Sequence, residues 1–377
     1  MSDSIEGWCD EQFAPIADAF RANFADGLEI GASVGATWRG KTVVEMWGGW
    51  ADPDRTRPWA RDTVINVAST TKILLITGFM MLVDREKVEL DAPVARYWPE
   101  FAQGGKAHVT VRQALSHGAG VPGFDQPVPF DLQFDWDAMT TRLAREPHWF
   151  EGEPRLVYHP FTYGWLLGEL IRRVDGRPPA QYLQDEVAGP AGLDFLVFRE
   201  TTTDPDRYAI PDVPLPGPRP QGDSLAARIM RSFEPGDRFR LRFTPQPAAS
   251  GFSNGRDIAR LCAIWAMNGE LDGHRYLGPQ WVAEASRLQS RGQCPLLGWM
   301  NQGLGFGLDR PEFPAPTPTA FHWGGIGGSM GIMDPACQLS LGYAPNNWKA
   351  ATTNDDRIGD PRAARMFKAF RKVAAAL

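Results

Sequence analysis

Apolar residues recur at helical spacing over residues 8–26, where Trp8, Phe13, Ile16, Phe20 and Phe24 share a face and Gly27 supplies a stop. The period then changes. "ASVGATWRGKTVVEMWGGWAD" is two β-type runs meeting at Arg39-Gly40, which predicts an antiparallel hairpin. "VASTTKILLITGFMML", residues 67–82, is a nearly all-apolar helix with a lysine at its head. After it, "VELDAPVARYWPEF" and "VTVRQALSHGAGVPG" carry the breakers expected between short helices. Residues 131–200 continue helical, and "YGWLLGELIRRVDG" is the clearest amphipathic segment.

Periodicity is lost from Thr202 to Pro247, where prolines crowd "PDVPLPGPRP". Phe233, Phe239, Leu241 and Phe243 near its end predict a packed flap over the site in place of a loose linker. Beyond it "RDIARLCAIWAMNG" reads as a helix, and "FGLDR", "GSMGIMDP" and "QLSLGYAP" as successive short strands. The last element, "DPRAARMFKAFRKVAAAL", is a helix with Asp360 as N-cap and Pro361 at its first position.

Strands at both ends with helices between them predict a mixed α+β fold. Its expected parts are a discontinuous α/β domain from residues 1–66 and 248–377, an inserted helical domain over 67–201, and the flap over 202–247. A chain of 377 residues exceeds what one core usually holds, which agrees with two lobes. The composition, 43% hydrophobic and 22% charged with a net charge of −6, has no basic excess to suggest nucleic acid. No apolar run is long enough to span a bilayer, and the acidic start "MSDSIEGWCDEQF" lacks the form of a secretory signal, so a cytoplasmic location is expected. Cys9, Cys262, Cys294 and Cys337 are scattered without C-x-x-C spacing, and the histidines and acids show no metal-ligand spacing. Neither a disulfide framework nor a metal is expected.

The lysine heading the apolar helix is the chemical signal. Ser69 and Lys72 stand at i and i+3, on one face, and that face continues through Ile76, Phe79 and Val83. Burial disfavours an ammonium ion, and a neutral amine beside a hydroxyl accepts its proton. Ser-x-x-Lys therefore makes a nucleophile from an inert alcohol, with helix-start amides nearby to hold an oxyanion. The plainer alternative has Ser69 capping the helix and Lys72 reaching solvent; the hairpin before the motif and the apolar helix after it favour catalysis.

"GGWADPDRTRPWARDTVINVASTTK" resembles the block leading to the catalytic serine in the serine β-lactamase-like superfamily (class C β-lactamases and penicillin-binding proteins), and especially in family VIII carboxylesterases. "LDAPVARYWPEF" and "VTVRQALSHGAGVP" are similar to the two segments that follow there, and the likeness runs from about residue 10 to residue 345. It implies an antiparallel sheet flanked by helices, plus an inserted all-α domain. It implies Tyr158, in "RLVYHPFTYGWLLGEL", as a general base with Lys72 and as the proton donor to the leaving group. Where the family pattern is Tyr-x-Asn, this chain has Tyr158-His159-Pro160, without the side-chain amide that β-lactamases use.

For the family's third motif, Lys-Thr-Gly or an esterase form of it, "FHWGGIGGSMGIMDP" aligns His322-Trp323-Gly324; a one-residue shift would put Trp323 first, and His322 is preferred. A neutral histidine in place of lysine favours an uncharged ester. The same alignment implies an oxyanion hole from the backbone N–H groups of Ser69 and Gly325, and a substrate pocket including His322, Trp323, Gly324 and His159. The implied activity is hydrolysis of short- or medium-chain carboxylic esters through an acyl-enzyme, with a small-molecule partner and no cofactor. Amide hydrolysis on the same serine is the near alternative, and a catalytically silent binding protein the distant one. The oligomeric state is not legible.

Two G-x-S-x-G strings suggest an α/β-hydrolase nucleophile elbow instead. "GGSMG", 327–331, has no histidine after Ser329, and "GFSNG", 251–255, follows the proline-broken "FTPQPAAS", so Ser253 or Asn254 is better read as a helix cap. His117 in "LSHGAG" is assigned a supporting role, and Tyr163 a packing role.

Overall fold

The computed structural model describes residues 4–197, 204–213, 221–237, 244–310, 314–351 and 360–377. Thr202, Phe239, Leu241 and Phe243, and most of "PDVPLPGPRP", lie outside the described residues. The main sheet has six antiparallel strands. The first part of the chain supplies β1 (Ile5–Cys9), β2 (Gly31–Trp38) and β3 (Lys41–Gly49). The last part supplies β4 (Phe321–Gly324), β5 (Met330–Asp334) and β6 (Leu339–Pro345). Their spatial order is β1-β3-β2-β6-β5-β4, so β2 and β6 join the two ends of the chain at the centre and β4 forms an edge.

The expected hairpin is β2–β3. Its two-residue turn has Arg39 at φ 50° and Gly40 at φ 75°, the left-handed pair that matches the right-handed twist of the strands. The first helix is shorter than its periodicity predicted: Trp8 lies in β1, 45% exposed, and α1 runs Ala14–Ala25 after a single turn at Glu11–Phe13. Apolar spacing alone cannot separate an edge-strand tryptophan from a helical one. "FGLDR" forms isolated bridges in place of a strand, Gly307 pairing with both Gln302 and His322, while an unforeseen hairpin forms from Ser290–Cys294 and Gly298–Gln302.

Helix α1 and the C-terminal helix cover one face of the sheet, with Phe13, Ile16, Phe20, Tyr343, Met366 and Phe370 in their shared core. The opposite face carries the helix Gly255–Ala266, capped by Asn254, whose side chain accepts from Asp257 N at 2.9 Å. That helix approaches so closely that a Cβ on Gly35 would lie 2.6 Å from Arg256 Cα, and one on Gly342 would lie 2.3 Å from Ala259 N. Gly35 and Gly342 are paired across β2 and β6, which explains glycine at both positions.

Beyond this helix lies a larger core containing α2 (Thr71–Asp84) and α3 (Thr162–Asp175). α3 ends at Gly176, φ 93°, a left-handed C-cap. Residues 71–83 of α2 are all buried, so α2 has no wet face and Lys72 lies within the core. Of the proline-rich region, Phe233 packs edge-on against Phe124 and Phe161. A short three-stranded sheet ties Ile65–Asn66, just before Ser69, to Gly251–Ser253 and Leu196–Val197.

Candidate active site

Ser69 sits in a single 3-10 turn, Ala68–Thr70, that runs directly into α2. The chain enters this turn through Ala68 at φ 44°, a left-handed conformation costly for a residue with a Cβ. Its neighbours hold it there: Ala68 N donates to Asn66 Oδ1 at 3.3 Å, Thr71 Oγ1 donates to Ala68 O at 2.6 Å, and Val67 N donates to Gly251 O at 2.9 Å. Ser69 is partly exposed between buried neighbours. Its N–H belongs to the helix start, where amides have no intrahelical acceptor.

Lys72 is 0% exposed, and its Nζ lies 3.1 Å from Ser69 Oγ and 2.9 Å from Ala248 O. Burial pushes its pKa down to about 7. An ammonium has three hydrogens to place and meets two acceptors here. A neutral amine fits more closely, donating one hydrogen to Ala248 O and accepting the Ser69 hydroxyl proton on its lone pair, with one hydrogen left over instead of the mismatch an ammonium meets. Tyr158 completes the group from the loop before α3, its Oη donating to Ser69 Oγ at 2.7 Å. Burial raises the phenol's pKa, so Tyr158 holds its proton over the range in which Lys72 loses its own. Ser69, Lys72 and Tyr158 thus meet at one oxygen.

A buried aromatic wall stands behind Tyr158. His117, at φ 61°, lies 4.9 Å from the Tyr158 ring, 4.4 Å from Tyr163 and 5.8 Å from Trp323, centroid to centroid. Its Nδ1 accepts from His159 N at 3.4 Å, and burial pushes its pKa well down, which keeps a second cation away from Lys72. Tyr163 packs, donating its hydroxyl to Leu115 O at 2.9 Å. His159, expected in the substrate pocket, is 0% exposed and engaged at both nitrogens: Nδ1 is 2.6 Å from Val157 O, and Nε2 accepts from Val121 N at 3.3 Å. It braces the loop that carries Tyr158 and lines no open pocket.

The edge strand β4 decides the third motif. Side chains alternate along a strand, so His322 and Trp323 face opposite ways. Trp323 points to the site, 5.5 Å from the Tyr158 ring, and His322 points to the other face, 4.9 Å from the Phe367 ring. Burial drives the His322 pKa down to about 3. The expected placement of His322 in the pocket is therefore corrected by one residue, and Trp323-Gly324-Gly325 flanks the serine. Gly324 is the exposed end of β4.

The backbone alternates too. His322 N donates outward, to Gly307 O at 3.1 Å, whereas Gly325 N donates inward, to Ser329 O at 2.8 Å, closing the turn from β4 to β5. The Gly325 N–H is thus already used. Gly325 is needed for space, since a Cβ there would lie 2.4 Å from Val67 O and 3.1 Å from Ser69 N. The alternation continued by one residue gives the outer edge to Ile326, whose N–H makes no hydrogen bond among the described residues. Ser329, in the misleading "GGSMG", donates from Oγ to Val67 O at 2.8 Å and lies 2.9 Å from Thr70 Oγ1, which fastens this turn to the Ser69 segment. Ser253, in the other string, is buried in the short strand leading to the Asn254 cap.

Among the described residues, no group of three or more histidines, cysteines and acids is placed to hold a metal, and no helix is long and apolar enough to cross a membrane. Residues 20–364 match the β-lactamase family. The esterase/β-lactamase LipL of Mycobacterium tuberculosis is 31% identical over 94% of this chain and 86% of its own. Two solved structures are similar over 98% of this chain and 100% of theirs: a penicillin-binding protein homologue from Caulobacter crescentus, 35% identical with a TM-score of 0.88, and a family VIII carboxylesterase, 36% identical with a TM-score of 0.87.

Proposed function

We propose that this chain, which belongs to the β-lactamase family, is a serine carboxylesterase that cleaves short- or medium-chain esters of small molecules through an acyl-enzyme on Ser69. The observation that carries the reading is the double contact at Ser69 Oγ, 3.1 Å from Lys72 Nζ and 2.7 Å from Tyr158 Oη. Two groups whose pKa values are driven in opposite directions divide the proton work between them. The neutral Lys72 amine takes the hydroxyl proton as Oγ attacks the ester carbonyl. Tyr158, still protonated, delivers a proton to the leaving alkoxide and is resupplied from Lys72. Water then attacks the acyl-enzyme by the reverse transfers. The N–H groups of Ser69 and Ile326 receive the oxyanion.

Two features support an ester over a β-lactam. His159-Pro160 after Tyr158 offers no side-chain amide to a substrate, and Trp323 stands in the third motif where a lysine would bind a carboxylate.

The test is turnover of p-nitrophenyl butyrate beside that of nitrocefin, with Ser69→Ala as control. Ester cleavage is expected to exceed cephalosporin cleavage, and Ser69→Ala is expected to lower kcat by at least ~10³-fold. Full activity in Ser69→Ala would remove the nucleophile, and faster nitrocefin cleavage would reverse the substrate assignment.

A further inference from the structure

Ile326 stands in a turn at the end of an edge strand with its side chain 68% exposed, and nothing in its own packing fixes where its N–H points. The turn is held from two sides. On one side Ser329 fastens it to Val67. On the other lies the C-terminal helix α4 (Pro361–Ala374), whose first turn carries Arg362, 0% exposed. The guanidinium meets Asp360 through two bonds, Nε to Oδ1 at 2.9 Å and Nη2 to Oδ2 at 2.7 Å, and Glu29 Oε2 through Nη1 at 3.1 Å. Its Nη2 also donates to Gly327 O at 2.9 Å. Gly327 is the next residue after Ile326. Contact is close as well: a Cβ on Gly328 would lie 2.2 Å from Asp360 Oδ2 and 2.6 Å from Arg362 Nη2, and one on Gly327 would lie 2.4 Å from Trp348 Cδ1.

A buried arginine set between two acidic side chains is a poor way to gain stability, because apolar residues of similar volume commonly do as well. What it adds is direction, since a planar fork held by the carboxyl groups of Asp360 and Glu29 presents its remaining N–H at a set angle. We propose that Arg362 is a positioning residue that, through Gly327 O, fixes the Ile326 N–H relative to the Ser69 N–H and so sets the width of the oxyanion hole. This rests on the reading of Ile326 N–H as the second oxyanion donor. Arg362 touches no substrate. It acts through one carbonyl, and its effect belongs to kcat.

A double-mutant cycle tests it. The Gly325–Gly328 turn has Gly327 at φ 95° and closes from Gly328 N to Gly325 O at 3.1 Å, the form in which proline is favoured at the second position. Ile326→Pro therefore removes the N–H with little change to the turn. With p-nitrophenyl butyrate, and rates corrected to the folded fraction, Arg362→Lys is expected to lower kcat ~10-fold with KM within ~2-fold, part of the ~10²–10³ that a whole oxyanion donor supplies. In the Ile326→Pro background the same change is expected to cost less than ~2-fold. Equal losses in both backgrounds, or an unchanged kcat in folded Arg362→Lys, would overturn the inference. Should Arg362→Lys not fold, Asp360→Asn, which keeps a helix-capping side chain, is expected to give ~3-fold with the same non-additivity, and additivity there would overturn it equally. If Ile326→Pro alone leaves kcat intact while Ser69→Ala is inactive, the positioning role falls and the serine esterase stands; an active Ser69→Ala removes the esterase reading itself.

Discussion

Two lysines lie fully inside this protein, and their surroundings set them to different work. Lys106 places all three ammonium hydrogens on backbone carbonyls, Gln103 O at 2.7 Å, Ala144 O at 3.1 Å and Glu146 O, and stands 5.0 Å from the centre of the Phe101 ring. Lys72 has one carbonyl and one hydroxyl. Burial lowers both pKa values, to about 8 for Lys106 and about 7 for Lys72. Lys106 ties the loop at Gln103 to the end of the helix Trp136–Arg145. Lys72 has one acceptor fewer, and in the proposed mechanism it is the amine that gives up its proton and serves as base. Burial lowers the pKa of both amines, and the two sites differ further in how many acceptors surround each amine.

The largest expected effect comes from breaking this contrast at the chemical end. Lys72→Met keeps the volume and removes the base, and kcat for p-nitrophenyl butyrate should fall by ~10³–10⁴-fold. The same variant should be more stable than the parent at pH 7 by roughly 1–3 kcal/mol in urea denaturation, because an amine the fold must hold uncharged has been replaced by an apolar chain. The sign with pH follows from the shift from 10.5 to about 7. Between those values the unfolded chain binds a proton at Lys72 that the folded one does not, so parental stability gains from this group as pH rises, and the advantage of Lys72→Met should shrink toward pH 10.

Lys106→Met should do the opposite. Three carbonyls, two of them in buried contacts, lose their donor, stability should fall by about 2–4 kcal/mol, and kcat of the folded enzyme should stay within ~2-fold. A rise in stability, or a loss of kcat comparable with that of Lys72→Met, would erase the contrast.

Much of this arrangement is legible in the chain. The β2–β3 hairpin, α2, the Asn254 and Asp360 caps and the Ser69–Lys72 pair follow from periodicity and spacing, because each depends on residues near in sequence. Tyr158 came through family likeness, and its contact with Ser69 spans 89 positions. Backbone partners escaped: no residue type announces that Ala248 lends its carbonyl to Lys72, or that the Gly325 N–H is consumed by Ser329. The two-residue period of a strand sets Trp323 toward Tyr158 and His322 toward Phe367, so a slip of one position in reading the motif exchanges the site face for the opposite one. Trp8, in a strand, also matches the helical spacing for a related reason, since one apolar residue at a strand edge fits either period.

The protonation state of Lys72 is the hinge of the whole account, and it is directly measurable by NMR of protein carrying 13C-ε-labelled lysine, with the Lys72 signal assigned by its loss in Lys72→Met. The resonance is expected to titrate with a midpoint near 7, alongside an acid limb of kcat/KM at the same pH. A midpoint near the ordinary 10.5 in active enzyme would contradict it, for the amine would then be charged throughout the working range and no base for Ser69.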